Sequence, residues 1–294
     1  MNNCLVGLPD SGKSTALAAL FYLVADHSEL CDWYLDNADR PSNSDYWYRL
    51  RDLWVQGESL QRTEHKAMPA IMKLKLTHKE NNTKTTISIP DIPGEDYLGL
   101  YSAGRFPLKA ANLIDKAERL IFFLRVDDED APVLSISPEA LEKDQSSNST
   151  GDGVKLQEAP PVEWEAKHMP IQSKVIATLR CIRMLKKMPL TKLTIVLTAW
   201  DTVGKDGFTP DSVIKTCFPL VAQYLETNFD YDLYGLSAQG YDYGNAEGDA
   251  KEKAIAKAFE KAIEEGQIDL GDVKRINVVT RDGNEQYDMT KIFT

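Results

Sequence analysis

Cys4-Leu5-Val6-Gly7-Leu8-Pro9-Asp10-Ser11-Gly12-Lys13-Ser14-Thr15 is the stretch on which the reading of the fold turns. The apolar run Cys4-Leu5-Val6 stops at Gly7, and a helical pattern with Leu17, Leu20, Phe21 and Val24 on one face begins near Lys13. Strand, glycine loop and helix therefore follow one another. Gly7 to Ser14 fit the pattern G-x-x-x-x-G-K-[ST], which carries meaning only between a strand and a helix, and that is its place here. Glycines let successive backbone N–H groups turn inward as a nest for phosphate oxygens, at the positive end of the helix dipole. On that reading Gly7, Asp10, Ser11, Gly12, Lys13, Ser14 and Thr15 cradle a phosphate chain. Lys13 would reach the β- and γ-phosphates, and the Ser14 hydroxyl would ligate Mg²⁺. The bland alternative is a glycine turn capping an ordinary helix, but background composition produces the full pattern in only about one chain in a hundred of this length.

Downstream, residues 27 to 66 hold three of the five tryptophans, Trp33, Trp47 and Trp54, and read as an insertion of short helices around an irregular stretch. The aromatic group Trp33, Tyr34, Tyr46, Trp47, Tyr48 and Trp54 is either a partner surface or the packing of that insertion onto the core. Ile71 to Leu76 and Thr85 to Ile89 flank the polar turn Lys79-Glu80-Asn81-Asn82 and predict an antiparallel hairpin. Further strands are expected over 120–126, 193–198 and 233–237, alternating with helical patterns at 107–118, 172–187 and 211–227. That alternation predicts an α/β chain, a P-loop NTPase three-layer fold with a mainly parallel, doubly wound sheet. Residues 135–165 are rich in Ser, Gly, Pro and acid and read as a flexible excursion, because the sheet pattern resumes after them. A charged amphipathic helix is expected over 246–266, then an edge strand and tail from Ile276 to Thr294. The expectation is one domain over 1–294, with insertions at about 27–66 and 135–165 and a C-terminal extension from about 246.

The formal net charge of −11 disfavours sequence-independent binding to nucleic acid or to an anionic membrane. The four cysteines, Cys4, Cys31, Cys181 and Cys217, show no CxxC spacing, so neither a zinc site nor a disulfide framework is indicated, and reduced cytosol fits best. The four histidines, His27, His65, His78 and His168, lack ligand spacing. No apolar run reaches the length of a membrane span, so a soluble, cytoplasmic protein is expected.

Two further motifs bear on which nucleotide is bound. Ile87-Ser88-Ile89-Pro90-Asp91-Ile92-Pro93-Gly94-Glu95 puts an acid directly after an apolar strand, with glycine three residues on. Asp91 in that position would hold Mg²⁺ through water, and the Gly94 N–H would meet a γ-phosphate and let the next loop respond to its loss. Thr194-Ile195-Val196-Leu197-Thr198-Ala199-Trp200-Asp201 is a strand ending in a second acid. A carboxylate at Asp201 can accept both the N1–H and the 2-amino group of guanine, a bidentate pair that adenine cannot offer. Leu236-Ser237-Ala238-Gln239 ends another strand and would present the Ala238 N–H to guanine O6.

In this order, on successive strand ends, GLPDSGKS, DIPG, TAWD and SAQ resemble the motif series of the TRAFAC class of GTPases. The DIPGE and TAWD forms and the long insertions look like the bacterial double-GTPase family of conflict and antiphage systems. The class resemblance covers residues 1 to about 240. It implies GTP as substrate, GDP as product and Mg²⁺ as cofactor. Against the class pattern [NT]-K-x-D, this chain keeps Thr198 and Asp201 but has Ala199 in place of lysine. Trp200 beside it either stacks on the base in compensation or is a core tryptophan. Glu95 stands where Ras-like members carry a water-orienting glutamine. The switch threonine that joins Mg²⁺ is best placed at Thr63, and Arg62 beside it is a candidate arginine finger supplied in cis. The catalytic set is thus Lys13, Arg62, Thr63, Gly94 and Glu95, and the metal set Ser14, Thr63 and Asp91.

The leading expectation is a regulatory GTPase with a protein partner, which a second GTPase would satisfy. An ATPase or P-loop kinase is opposed by Asp201 and Ser237. A non-hydrolysing, nucleotide-dependent scaffold fits the departures at Ala199 and Glu95.

Overall fold

A computed structural model describes residues 1–36, 41, 43–58, 71–90, 99–101, 104–127, 168–186, 192–203, 207–240, 246–266 and 275–293. The expected excursion at 135–165 lies outside the described residues, and so does the stretch from 59 to 70.

Among the described residues, strand β1 (Asn2–Gly7) sits inside a nine-stranded sheet. The other strands are β2 (Trp33–Tyr34), β3 (Ile71–His78), β4 (Lys84–Pro90), β5 (Arg119–Arg125), β6 (Lys192–Thr198), β7 (Tyr231–Ser237), β8 (Asn277–Thr280) and β9 (Glu285–Gln286). Their order is β2-β3-β4-β1-β5-β6-β7-β8-β9. The run β4-β1-β5-β6-β7 is parallel, and β3 with β2 on one flank and β8 with β9 on the other are antiparallel. The chain moves from β1 out to β4 on one side and then to β5 on the other, so β1 lies at the point where the strand order reverses. In open α/β sheets ligands bind beyond the carboxyl ends of the strands at such a point.

Alternating side chains of the parallel strands feed two cores, one on each face of the sheet. Leu5, Ile121, Phe123 and Val196 join the core with α1 (Lys13–Asp26), α2 (Ser44–Val55), α7 (Ala246–Glu264) and α8 (Thr290–Phe293). Cys4, Val6, Leu120, Phe122, Leu124, Leu193, Ile195 and Leu197 join the other, with α3 (Leu108–Lys116), α4 (Ile171–Leu185), α5 (Pro210–Cys217) and α6 (Pro219–Asn228). Burial on both faces explains why these strands read as continuous apolar runs instead of alternating ones. The fold is the three-layer P-loop NTPase arrangement.

The structure departs from the sequence-based reading in three places. Trp33 lies on a two-residue strand, not a helix, and pairs with His78 of β3. The single helix expected over 211–227 is two, because Pro219 lacks an N–H and disfavours the helical region for Phe218, which sits at φ −128° and ψ 53°. The expected tail ends in α8, whose Ile292 and Phe293 are wholly buried, and the Asn3 side chain donates to the Phe293 carbonyl at 2.6 Å. Of the two alternatives for the aromatic group of the insertion, inward packing is the one found: Trp33, Trp47 and Trp54 are buried, Trp47 stacks on Phe21 at 5.4 Å between ring centres, and Tyr48 is exposed.

Candidate nucleotide site

The loop after β1 is built for close backbone approach. A Cβ on Gly7 would lie 2.8 Å from the Phe123 carbonyl oxygen and 2.9 Å from the Phe123 Cβ, so no side chain fits there. Asp10 and Gly12 hold φ of 59° and 75°, in the left-handed region. Gly12 adopts it without cost, and Asp10 is of a residue type that tolerates it. The Ser11 N–H closes the turn on the Leu8 carbonyl at 3.3 Å. Among the described residues no side chain caps α1, and no acid stands in its first turn. Its first amides are therefore donors without intrahelical partners, at the positive end of the helix.

Lys13 is folded into this loop. Its Nζ donates to the Gly7 carbonyl at 2.8 Å, the Leu8 carbonyl at 2.6 Å and the Ser11 hydroxyl at 3.0 Å. Burial pushes its pKa down to about 8, and the neighbouring Asp10 carboxylate opposes that shift. To meet a phosphate, the ammonium would exchange these loop oxygens for phosphate oxygens. Ser14 and Thr15 lie half-buried on the first turn of α1. A hydroxyl is a hard oxygen donor that suits Mg²⁺, an ion that keeps much of its shell as water and phosphate oxygens, so this donor fits the expected metal. Asp91 and Thr63, the other expected ligands, lie outside the described residues, as do Arg62, Gly94 and Glu95. Asp91 directly follows Pro90, the last residue of β4 and thus of a strand paired with β1.

The two loops expected to read the base come from neighbouring strands. Leu236 of β7 pairs with Thr198 of β6, and Thr198 with Arg125 of β5, so the strand ends are level. Thr198 is buried and its hydroxyl donates to the Ser11 carbonyl at 3.0 Å, with the Leu124 carbonyl a more distant acceptor at 3.4 Å. This side chain ties the end of β6 to the phosphate loop, and a Cβ on Gly12 would lie 3.2 Å from it. Ala199 follows at φ 57°, and a 3₁₀ turn over Trp200–Thr202 carries Asp201, which is half-buried.

Trp200 resolves into the core reading. It is 3% exposed and packs on β7, where a Cβ on Gly235 would lie 2.4 Å from Trp200 Cδ2. A ring so enclosed offers no face to a base, which corrects its placement among the base-binding residues. Gly235 carries no local sequence signal, and its role appears only when β7 is set beside the turn after β6. Gly235→Ala is expected to destabilise the fold by about 1–3 kcal/mol through overpacking, lowering the midpoint of thermal unfolding by several degrees. A variant that unfolds at the wild-type temperature would show that the Trp200 turn has room to shift.

Ser237 is buried, and its hydroxyl has no hydrogen-bond partner among the described residues. Ala238 and Gln239 lie half-buried in the bend that follows. The indole N–H of Trp54, from the insertion, donates to the Ala238 carbonyl at 2.7 Å. The structure therefore brings together Gly7, Asp10, Ser11, Gly12, Lys13 and Ser14 with Thr198, and places Asp201 and Ser237 to Gln239 on the adjoining strand ends.

Among solved structures, the chain is similar to bacterial selenocysteine-specific elongation factor EF-Sec, at 13% identity and TM-score 0.39 over 90% of this chain and 29% of that one. The chain thus spans less than a third of that protein's length. It is also similar to the G domain of the T. maritima FeoB iron transporter, at 14% identity and TM-score 0.31 over 88% of this chain and 98% of that one. The signal recognition particle receptor SRb-GTP/SRX complex from Chaetomium thermophilum gives 14% identity and TM-score 0.35, covering 87% of this chain and 97% of that one. No curated protein sequence matches it. No helix among the described residues is long and apolar enough to cross a membrane. A family model described as Double-GTPase 1 matches residues 4–291, and the chain belongs to that family.

Proposed function

We propose that the chain binds GTP with Mg²⁺ beyond the carboxyl ends of β1, β6 and β7, hydrolyses it to GDP and phosphate, and acts as a nucleotide-dependent switch. The observation that carries this reading is the Thr198 hydroxyl on the Ser11 carbonyl. It fixes the end of β6, just before the turn that carries Asp201, against the loop that holds Lys13, so base and phosphate contacts would share one frame. Asp201 would accept the guanine N1–H and 2-amino group, the Ala238 N–H would meet O6, and Ser237 and Gln239 would hold that bend. Lys13 and the loop amides would hold the phosphates. Ser14, Thr63 and Asp91 would hold Mg²⁺, which when bound would neutralise charge on the β- and γ-phosphates.

For the chemistry itself, Glu95 can accept a proton from an attacking water but adds negative charge near the γ-phosphate. Arg62 would offset that charge. Intrinsic turnover is therefore expected to be slow, and a counter-charge of this kind is worth about 10³ to 10⁵ in rate. Loss of the γ-phosphate would release the segments around Thr63 and Gly94, and a protein partner, such as a second GTPase, would sense the change. A place in bacterial defence is the setting that the family resemblance suggests.

Single-turnover release of phosphate from GTP, with competition by GDP and ADP, tests the reading. The expected result is strong preference for GDP, slow release in wild type, and slower release at unchanged GTP affinity in Arg62→Ala. Guanine preference with no phosphate release would instead mark the nucleotide as a structural ligand of a scaffold. Equal competition by ADP would remove the guanine assignment.

A further inference from the structure

Trp54 stands 184 residues before the Ala238 carbonyl it bonds, and nothing in the motif series requires it. It is wholly buried, and its ring is fixed on several sides. The Arg275 guanidinium lies 3.6 Å from the ring centre, Tyr22 of α1 is 5.1 Å away between ring centres, and Phe259 of α7 is 6.0 Å away edge-on. Arg275 also donates to the Trp54 carbonyl, so ring and backbone are gripped by the same side chain. In this cage the indole N–H has one orientation, and it is spent on Ala238. On its other side Ala238 is preceded by Ser237, which pairs with Asn277 of β8 as the last rung of β7. Ala238 is thus held at both ends, by the sheet before it and by Trp54 after it.

We infer that Trp54 is a positioning residue for base recognition: its indole N–H on the Ala238 carbonyl fixes the bend whose Ala238 N–H reads guanine O6. This rests on the guanine reading proposed above. A bend free at one end can rotate its peptide away from O6, and aligned donors lose strength steeply as the angle falls. A single neutral hydrogen bond is worth about a twofold to tenfold change in an equilibrium constant, which sets the size of the effect.

The test measures affinity for GDP, 6-thio-GDP and IDP by calorimetry on the full chain. 6-thio-GDP replaces O6 by a weak acceptor and keeps the groups read by Asp201, whereas IDP keeps O6 and loses the 2-amino group. Trp54→Phe is expected to lower GDP affinity about fivefold and to shrink GDP over 6-thio-GDP discrimination by a similar factor. GDP over IDP discrimination should stay within about twofold, because it reports on Asp201. Should Trp54→Phe fail to fold, benzothienylalanine at this position keeps the ring shape and replaces N–H by sulfur. Equal weakening of all three ligands would make Trp54 a merely structural residue and overturn the proposal, as would unchanged affinities. Wild-type protein that binds ADP as well as GDP would overturn the guanine reading itself, and this inference with it.

Discussion

Lys13→Ala is expected to lower GDP and GTP affinity by about a hundredfold or more, with the fold retained. A lysine contributes charge-assisted hydrogen bonds to phosphate oxygens, each worth about 1.5–3 kcal/mol, and two such bonds account for a change of that size. The fold should survive because the side chain belongs to the loop and not to either apolar core. Burial already disfavours its charge. Its removal leaves the Gly7 and Leu8 carbonyls without the ammonium they now accept from, but it also relieves a desolvated cation. Two measurements separate affinity from stability. The variant's unfolding temperature without nucleotide should lie within a few degrees of wild type. Excess GDP should raise the wild-type midpoint, since a ligand at 100 times its Kd stabilises by about 2.7 kcal/mol, and should leave the variant's almost unmoved. A folded Lys13→Ala protein with undiminished affinity would remove the phosphate-loop assignment.

The phosphate loop was legible because its chemistry is local. Glycines, lysine and serine at fixed spacing between a strand and a helix demand one another, and the structure places Gly7, Asp10 and Gly12 in the close-packed or left-handed positions that such a loop needs. The parallel strands were legible for a similar reason, as buried apolar runs announce themselves within a few residues. Other features depend on pairs of residues far apart. Trp200 could be a stacking or a core residue until Gly235 of β7 is seen beneath it. Trp54 could be an anchor for a partner until Ala238 is seen at its indole N–H. A two-residue strand such as β2 carries no periodicity, and neither does the four-residue α8, so both were hidden. The break between α5 and α6 did have a local signal, Pro219, which the helical periodicity across 211–227 outweighed in the reading.

The insertion after α1 also changes how the site is held. Trp47 and Trp54 on α2 pack against Phe21 and Tyr22 of α1, the helix that begins in the phosphate loop. Trp54 reaches the bend after β7, and Thr198 ties the end of β6 to Ser11. The phosphate loop and both loops assigned to the base are therefore linked through buried side chains.

Asp201→Asn is expected to lower GTP affinity by about a hundredfold and to raise affinity for xanthosine triphosphate above that for GTP. Guanine presents two donors toward C2, the N1–H and the 2-amino group, and a carboxylate accepts from both. An asparagine amide offers one acceptor and one donor. Its oxygen can still take the N1–H, but its N–H now faces the 2-amino group, donor against donor. In xanthine a carbonyl replaces that amino group, and the mismatch becomes a hydrogen bond. The exchange is therefore a reversal of selectivity, which general loosening of the 3₁₀ turn over Trp200–Thr202 cannot mimic. Trp200 beside it is packed in the core, and Ala199 keeps its left-handed backbone whichever side chain follows, so the turn should stay in place. Competition binding with GTP and xanthosine triphosphate on wild type and variant reads the result directly. If Asp201→Asn binds GTP as tightly as wild type, guanine is not read at Asp201. If both nucleotides weaken together with no crossover, Asp201 supports the turn and the base is recognised by other groups.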